Sequence, residues 1–320
     1  MITAPDFDKK QILFVMPNEG EKMAISNDNL VIKDKEGKIK FQITCYRVYL
    51  VFVLGSMSIT TVLIQKAKKH GFYIALMTSG FHLYSVIGAP KEGNVLLRKQ
   101  QYNYCGVELA KHITKNKINN QIAILKKVRH KNELLKETLE KLESYVNGVE
   151  CVEDNLQSVL GYEGLASKIY FKNHFDNVVW KGRQPRLKKD YVNSTLDIGY
   201  TLLFSFVDAL LESFGFDTYV GVMHTQFYMR KSLVCDIVEP FRPLIDKQVK
   251  KGINLNQIRE EDFKVIKNQY QLKWENNKKY VSLLIEPLME RKVDIFKYIH
   301  EYYRAFMKKV PAEKFPVFEV

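Results

Sequence analysis

The sequence lacks the paired cysteines of a disulfide-stabilised or zinc-binding protein. Its 320 residues include only 4 cysteines. These are far apart, form no CxxC pair and have no histidine beside them at zinc-ligand spacing. Free thiols in a reducing compartment are therefore the simplest interpretation, and neither a disulfide framework nor a zinc module is expected.

The sequence also lacks a long apolar run and a secretory leader. The longest apolar stretches, 48–54 and 198–211, are shorter than the roughly 18 to 20 residues that a membrane helix needs, and the second contains Asp208. The first ten residues do not have the charged-then-apolar layout of a signal peptide. We therefore expect a cytoplasmic protein with no membrane partner.

Acidic residues are outnumbered in this chain. There are 36 aspartate and glutamate residues against 49 lysine and arginine residues, which gives a net charge of +13. A hydrophobic content of 46% and a charged content of 27% are typical of a globular protein, and the length is sufficient for two domains. The basic excess favours an anionic partner such as nucleic acid or a membrane surface.

The first part of the chain predicts a small β-rich domain with one helix. Residues 1–20 resemble a loosely structured leader. The expected strands are 23–26, 30–33, 39–44, 48–54, 72–77 and 82–87. The expected helix covers 59–70, with Ser56 or Ser58 as its cap and Gly71 at its end. We assign 1–92 to an N-terminal domain that can form a dimer, followed by a linker at 88–93.

The remainder, 93–320, is predicted to be a larger all-helical domain, so that the fold class is α+β. The spacing of apolar residues predicts helices over 95–115, 120–129, 131–146 and 193–214, and a helical, lysine-rich tail from Ile253. We expect this domain to carry both catalysis and DNA binding.

A carboxylate lies within one predicted helical stripe. The spacing of Leu156, Leu160, Glu163, Ser167 and Tyr170 places these five side chains on a single face. A carboxylate in such a seam is unfavourable unless it is paired, hydrogen-bonded or bound to a cation. The residues leave three interpretations open for Glu163, namely a structural salt bridge, a ligand or catalytic role, and exposure at the rim.

A histidine and two more carboxylates occur together in the run 221–243. His224, Asp236 and Glu239 lie within sixteen residues among apolar neighbours. If the stretch after position 232 is helical, the two carboxylates share a face, where they repel by about 3 kcal/mol at a separation of about 5 Å and an effective dielectric near 20. A positive group must therefore lie beside them. The candidates are a divalent cation and three basic side chains, Arg230, Lys231 and Arg242.

A basic, irregular stretch covers 171–191, with Trp180 and Tyr191 among its residues. Its basic side chains are Lys172, Lys181, Arg183, Arg186, Lys188 and Lys189. Basic and aromatic residues together suit a phosphate backbone and exposed bases. A solvated loop with ordinary lysines explains the same composition equally well.

Four motifs occur in an order and spacing that resemble one known family. They are LGYEGLAS at 160–167, RQPR at 183–186 with NSTLDIGY at 193–200, GVMH at 221–224, and DIVEPFRP at 236–243. Each motif alone is weak, but four in order are specific. They resemble the CRISPR spacer-integration nucleases, the Cas1 family, over nearly the whole chain.

The resemblance implies an N-terminal β domain that forms a homodimer and a helical catalytic domain. It also implies that Glu163, His224 and Glu239 are ligands of Mg²⁺ or Mn²⁺, with Asp236 beside them in the catalytic group. The substrate would be double-stranded DNA, and a small protein, Cas2, would be the partner. The residues expected to contact DNA are Arg183, Arg186, Lys188, Lys189, Arg230, Lys231 and Arg242.

The chain departs from the common family pattern at three places. Glu239 stands where many members have aspartate, and Pro240 stands where an acidic residue is frequent. The loop after His224 lacks the usual glycine-containing turn. The ligand set is intact, but the substrate contacts of this loop do not carry over from the family.

The function that the resemblance implies is that of a CRISPR adaptation integrase. The 3′-hydroxyl of a short DNA fragment would attack a backbone phosphate at the leader–repeat junction and join the fragment by transesterification. One alternative is a metal-dependent DNA endonuclease that uses water instead of the hydroxyl. Another is a non-catalytic nucleic-acid-binding scaffold, in which Glu163 and Glu239 simply pair with Arg242 and Arg230.

Overall fold

The structure is a computed structural model that describes residues 3–88, 94–129, 132–176, 178, 180–224 and 227–320. It divides into two compact units. The first comprises Met1–Asn94 and Asp208–Gly215, and the second comprises Val95–Val207 and Phe216–Val320. Positions 89–93 of the predicted linker, and with them the predicted boundary at 92/93, lie outside the described residues.

The first unit contains two four-stranded sheets. Its elements are α1 (Ala4–Asp8), β1 (Gln11–Val15), β2 (Lys22–Ser26), β3 (Asn29–Lys33), β4 (Ile39–Thr44), β5 (Val48–Leu54), β6 (Ser58–Ile59), α2 (Thr61–His70), β7 (Tyr73–Met77) and β8 (Leu83–Ile87). One sheet has the order β1-β5-β7-β8, and the other has the order β4-β3-β2-β6. In the first sheet β5 pairs in parallel with β1 and β7, while β7 and β8 are antiparallel.

The central strand and the helix of this unit follow from local sequence. All seven residues of β5 are buried, as expected for a continuous apolar run in the middle of a sheet. The helix α2 ends at Gly71, which adopts the left-handed conformation with φ of 69°. The predicted cap at Ser56 or Ser58 is wrong, because Ser58 pairs with β2 and Thr60 accepts the hydrogen bond from Leu63 N.

The prediction of a loose leader over 1–20 is also wrong. This stretch contains α1 and β1, and β1 is an edge strand that pairs in parallel with β5. Phe7 of α1 is 1% exposed and packs edge-to-face on Tyr49. The partner of β1 is distant along the chain, so no local hairpin signal reveals the pairing.

The second unit is mainly helical, and the α+β class is confirmed. Its elements are α3 (Val95–Asn103), α4 (Glu108–Lys126), α5 (Glu133–Glu150), α6 (Leu156–His174), α7 (Tyr191–Phe214), α8 (Ser232–Ile237), α9 (Arg242–Asn254), β9 (Phe263–Ile266), β10 (Gln269–Leu272), α10 (Asn277–Glu290) and α11 (Lys292–Lys308). The last turns of α7, Asp208–Gly215, group with the first unit.

Two predictions for this unit need correction. The tail from Ile253 is not uniformly helical, because β9 and β10 form an antiparallel hairpin. Its turn residues Lys267 and Asn268 both have positive φ, 49° and 60°, as a tight hairpin turn requires. In addition, the predicted helices over 95–115 and 120–129 break at the wrong place, because α3 ends at Asn103 and α4 then runs without interruption over Glu108–Lys126.

By length and composition alone, the helix α7 could cross a membrane. This contradicts the expectation that no segment of the chain is long and apolar enough to do so. However, 83% of its most apolar window is buried inside the structure, as in a core helix. Asp190 caps its start by accepting a hydrogen bond from Asn193 N at 2.7 Å. Burial therefore accounts for the apolar character of α7.

The end of the chain packs against α4. Phe318 is buried, its carbonyl accepts hydrogen bonds from the side chains of Asn116 (2.7 Å) and Asn120 (2.8 Å), and its ring meets Phe241 edge-to-face. Asn120 also donates to Pro240 O at 2.9 Å. These bonds fix the face of α4 that contains Lys117.

Stability should depend on pH through a histidine in α6. His174 is buried, donates from Nε2 to Asp246 O at 3.0 Å, and burial lowers its pKa to about 4. A neutral buried histidine contributes stability at pH above about 6.5 that is lost as the pH falls towards 4. Between pH 7.5 and 5, urea unfolding should show the wild type losing about 2 kcal/mol more than His174→Gln. Equal losses would contradict this assignment.

Candidate active site

Two glutamates from separate elements converge on one buried ammonium group. Lys117 of α4 contacts Glu163 Oε1 of α6, and its Nζ lies 2.6 Å from Glu239 Oε2. Ser167, one turn along α6, donates to Glu163 Oε1 at 2.9 Å. Of the predicted stripe only Tyr170 is buried, and its other four residues are half-buried. Glu163 is nevertheless paired, as the structural salt-bridge interpretation requires, with a partner that the sequence did not indicate.

The charge of Lys117 is maintained by these two carboxylates. Burial by itself lowers the pKa of a lysine, but Glu163 and Glu239 raise the pKa of Lys117 above its usual value. An ammonium group removed from water without such partners would be strongly unfavourable. Lys117 and the two glutamates consequently form one electrostatic unit.

Glu239 opens a short 3-10 turn directly after α8. Burial opposes its ionisation, but Arg242 and Lys117 lower its pKa to about 2. Arg242 Nε lies 3.0 Å from Glu239 Oε1, so one of the predicted basic neighbours does lie beside this carboxylate. Glu239 Oε2 is buried and accepts no well-aligned hydrogen bond from the described residues, although Lys117 is close.

Asp236 has a different environment, made of N–H donors. Its carboxylate accepts hydrogen bonds from the backbone N–H groups of Val222 (2.6 Å), Met223 (3.0 Å) and His224 (2.9 Å). A Cβ atom at Gly221 would lie only 2.5 Å from Asp236 Oδ2, so glycine permits this close approach. Asp236 thus holds the backbone of the GVMH motif against α8.

The prediction that Asp236 and Glu239 share one face of a helix, with a positive group beside both, is wrong. The helix α8 ends at Ile237, and Glu239 begins a separate turn, so the spacing of a continuous helix does not apply. Asp236 accepts hydrogen bonds from N–H groups, whereas Glu239 forms ion pairs with two cations, Lys117 and Arg242. The two carboxylates therefore have distinct tasks.

The same aspartate sets the proton position on His224. His224 Nδ1 lies 2.7 Å from Asp236 Oδ1, and an ionised carboxylate can only accept, so Nδ1–H is the donor. The lone pair of Nε2 is then left for another ligand, which is the usual arrangement of a metal-binding histidine and its carboxylate. The imidazole is 23% exposed, so that ligand can reach it.

The described residues contain no group of three or more histidine, cysteine, aspartate or glutamate side chains placed to hold a metal ion. Lys117 lies at the point where Glu163 and Glu239 meet. The donors themselves fit a hard divalent ion, since Glu239 Oε2 is incompletely satisfied and His224 offers Nε2. A divalent cation at this point would have to displace the Lys117 ammonium.

The basic stretch before α7 divides into anchored and exposed residues. Arg183 donates to Asn193 Oδ1 at 2.9 Å and pairs with Asp197 Oδ1 at 2.5 Å, so its guanidinium fastens the loop to α7. Arg186 and Lys189 are exposed, while Lys188 is half-buried. The carbonyl of Lys188 accepts a hydrogen bond from Tyr270 N, which joins this loop to the β9–β10 hairpin.

The remaining predicted DNA contacts are Arg230, Lys231 and Arg242, of which Arg242 lies beside Glu239. The Arg230 guanidinium lies at the Cys235 thiol, and Lys231 Nζ is 6.0 Å from the centroid of the Tyr219 ring. The guanidinium of Arg242 lies over Tyr200 at 4.6 Å from the ring centroid, and that of Arg183 lies over the same ring at 5.3 Å. Tyr200 therefore connects the basic loop to Glu239 through Arg242.

The sequence did not indicate Lys117 as a site residue, because the predicted helices end at 115 and resume at 120. In the structure Ile113, Lys117, Asn120 and Ile124 are all buried at spacings of four, three and four along α4. The same periodicity that identified Glu163 would have identified Lys117 as a cation in an apolar seam. A buried lysine with no local acidic partner is the signal that indicates a distant carboxylate.

Comparison with known proteins decides the family. The family model described as "CRISPR associated protein Cas1" matches residues 14–286. The chain belongs to the Cas1 family. The resemblance of its four motifs to the CRISPR spacer-integration nucleases is thereby confirmed.

Individual Cas1 relatives and solved structures agree with this assignment. The chain is 30% identical over 225 residues to the CRISPR-associated endonuclease Cas1 1 of Thermodesulfovibrio yellowstonii, covering 67% of this chain and 71% of that protein. A Cas6-RT-Cas1–Cas2 complex has the same fold over 97% of this chain and 36% of that longer chain, with a TM-score of 0.82 and 23% identity. A casposase bound to an integration product matches with a TM-score of 0.79 and 20% identity, over 97% of this chain and 94% of that one.

Removal of the ammonium group should expose the competition between Lys117 and a divalent cation. Lys117→Met leaves two carboxylates facing each other, and breaking a buried pair in this way costs about 3 to 5 kcal/mol of stability. Added Mn²⁺ should then raise the melting temperature of Lys117→Met more than that of the wild type. Thermal unfolding with and without Mn²⁺ measures both effects.

The matched control is Lys115→Met on the same helix, since Lys115 pairs with the exposed Glu150. It should lose little stability and respond to Mn²⁺ as the wild type does. An equal Mn²⁺ response of Lys117→Met and the wild type would show that the lysine and the metal do not compete.

Proposed function

We propose that this Cas1 protein is a CRISPR adaptation integrase, which joins the 3′-hydroxyl ends of short double-stranded DNA fragments into the CRISPR repeat by transesterification. The observation that carries the proposal is the convergence of Glu163 and Glu239 on one cation position. Family membership and the net charge of +13 support DNA as the substrate.

The residues that would hold Mg²⁺ or Mn²⁺ are Glu163, Glu239 and His224 through Nε2. When bound, such an ion supplies Lewis-acid activation of a phosphodiester and helps to orient the attacking hydroxyl. Two carboxylate oxygens and one imidazole nitrogen suit either ion, and the nitrogen makes Mn²⁺ favourable.

The side chains of the protein contribute positioning and charge. Asp236 holds His224 in one tautomer and one orientation, because its carboxylate binds both Nδ1 and the backbone N–H of that residue. The Nε of Arg242 pairs with Glu239, and the Arg242 side chain is 28% exposed. The other N–H groups of its guanidinium can therefore donate to a phosphate oxygen. Preorganised donors of this kind stabilise the charge that develops on a phosphate during transesterification.

The surface for the DNA backbone would be formed by exposed basic residues beside the site. Arg186 and Lys189 point into solvent on the loop that Arg183 fastens to α7, and Lys188 connects that loop to the β9–β10 hairpin. Arg183 itself would act through this anchoring. The β-rich first unit would form the homodimer, and Cas2 would complete the assembly in the cytoplasm.

A second candidate function is hydrolysis of DNA by the same site. Curated relatives are named endonucleases, and water could replace the 3′-hydroxyl without any change in the protein ligands. The scaffold alternative is less well supported. It requires Glu163 and Glu239 to pair with Arg242 and Arg230, and only the Glu239–Arg242 pair occurs among the described contacts.

Replacement of either glutamate should stop DNA joining. Glu163→Gln and Glu239→Gln remove one negative charge each with little change in shape, so joining should fall by at least about a hundredfold while DNA binding is retained. The measurement is a strand-transfer assay with Mn²⁺, a short fragment and a supercoiled repeat-bearing plasmid, with and without Cas2. Branched products indicate integration, whereas shortened strands indicate hydrolysis.

The exposed Glu140→Gln serves as the control and should behave as the wild type does. Full joining activity in purified Glu163→Gln would refute the assigned role of that residue. Shortened strands without branched products in the wild type would favour the endonuclease.

The exposed basic residues should determine the salt dependence of DNA binding. Arg186→Ala and Lys189→Ala should each weaken binding to any duplex sequence and reduce the slope of log affinity against log salt by about 1. Lys136→Ala, on the exposed face of α5 where it pairs with Glu133, is the control. An unchanged slope in both variants would place the DNA backbone elsewhere.

A further inference from the structure

The loop between His224 and α8 exposes three consecutive large apolar side chains. Phe227 is 73% exposed, Tyr228 is 86% exposed and Met229 is 76% exposed. No other run of three such side chains is exposed in the part of the chain that the structure describes. We refer to Phe227, Tyr228 and Met229 as the loop tip. Contiguous apolar residues in water are unfavourable and are typical of a surface that receives a partner.

The loop tip belongs to a hydrogen-bonded turn. Arg230 N donates to Phe227 O at 3.0 Å, and Met229 adopts a left-handed conformation with φ of 57°. Ser232 N donates to Arg230 O at 2.9 Å, which leads the chain directly into α8. The turn therefore leaves the side chains of Phe227, Tyr228 and Met229 in solvent.

Both ends of this loop are fastened at Asp236. Before the tip, the backbone N–H groups of Val222, Met223 and His224 bind the Asp236 carboxylate, and after the tip the chain enters α8, which contains Asp236. Since consecutive Cα atoms are 3.8 Å apart, the Cα of Phe227 lies within about 11 Å of that of His224, and the Cα of Tyr228 lies within about 15 Å. A molecule that reaches the His224 imidazole is thus within range of the tip.

The charge around the tip indicates which kind of molecule this is. Arg230 and Lys231 follow it directly in the chain, and the whole chain carries a charge of +13. A partner for this surface must combine flat apolar faces with negative charge. Nucleobases on a phosphate backbone have this combination, and aromatic rings stack on the face of any base irrespective of sequence.

We propose that Phe227 and Tyr228 form a stacking platform for unpaired nucleobases of the DNA strand whose phosphate reaches His224. This inference rests on the proposed function, since it assumes DNA at the same site. The platform selects strands that are single or locally opened, because the base faces of an intact duplex are covered by neighbouring bases. The basic residues that bind the backbone act on both forms of DNA.

The test compares two probes without divalent metal, so that binding is measured apart from chemistry. A single-stranded oligonucleotide and a blunt, fully paired duplex of the same sequence each carry 2-aminopurine near one 3′ end. Phe227→Ala and Tyr228→Ala should weaken binding of the single strand by about 5-fold or more, since stacking on one aromatic ring contributes on the order of a tenfold change. Binding of the blunt duplex should not change.

Fluorescence of the probe provides the second measurement. Stacking on the platform should quench 2-aminopurine in the single strand with the wild type and with Tyr228→Trp, and this quenching should be lost in Tyr228→Ala. Tyr84→Ala removes a tyrosine that is 57% exposed in the first unit, and it should leave binding and quenching unchanged. All these positions are exposed, so thermal unfolding should confirm that each variant is folded.

Several results would overturn the platform. Unchanged single-strand affinity in both alanine variants is one, and equal loss for single strand and duplex is another. A shift from dimer to monomer in Tyr228→Ala, measured by light scattering, would identify a second copy of the chain as the occupant. Loss of Cas2 binding without loss of single-strand binding would identify a protein surface.

Failure of the platform can be distinguished from failure of the integrase assignment. If Glu163→Gln abolishes joining but the tip variants bind single strands normally, the integrase stands and the platform does not. If the tip variants lose single-strand binding but the wild type never joins DNA, the platform stands and the integrase does not.

Discussion

The second unit depends on one buried ion cluster. Lys117 of α4 meets Glu163 of α6 and Glu239 of the turn after α8, so three separate elements are joined at a single charge. None of these groups can be left alone in the interior, because an unpaired buried charge is far more unfavourable than a buried pair. The neighbouring asparagines, Asn116 and Asn120, bind the backbone at Phe318 and Pro240 and thus keep the face of α4 in place.

The three acidic residues of the motifs differ in how their charge is balanced. Asp236 is balanced by N–H groups, most of them from the backbone, and these donors cannot leave without unfolding the loop. Glu239 and Glu163 are balanced by side-chain cations, and a flexible lysine can move aside for another cation. The structure therefore separates the backbone-bound support of His224 from two carboxylates that pair with side-chain cations.

Positive charge in this chain likewise serves two purposes. Arg183 and Arg242 are engaged with acidic side chains and both lie over Tyr200, so they link the basic loop to the acidic group. Arg186 and Lys189 face solvent and remain available to an anionic partner. A basic residue in a motif is thus not by itself a DNA contact, and only burial and pairing distinguish the two uses.

The sequence by itself determined the features that depend on neighbouring residues. The apolar run of β5, the left-handed Gly71 at the end of α2 and the order of the family motifs could all be recognised locally. The pairing of β1 with β5 and the meeting of Lys117 with Glu163 and Glu239 were decided only in the tertiary structure. The reason is physical, since periodicity reports which side of an element is buried, whereas the partner of a buried strand edge or charge is chosen by packing between segments distant along the chain.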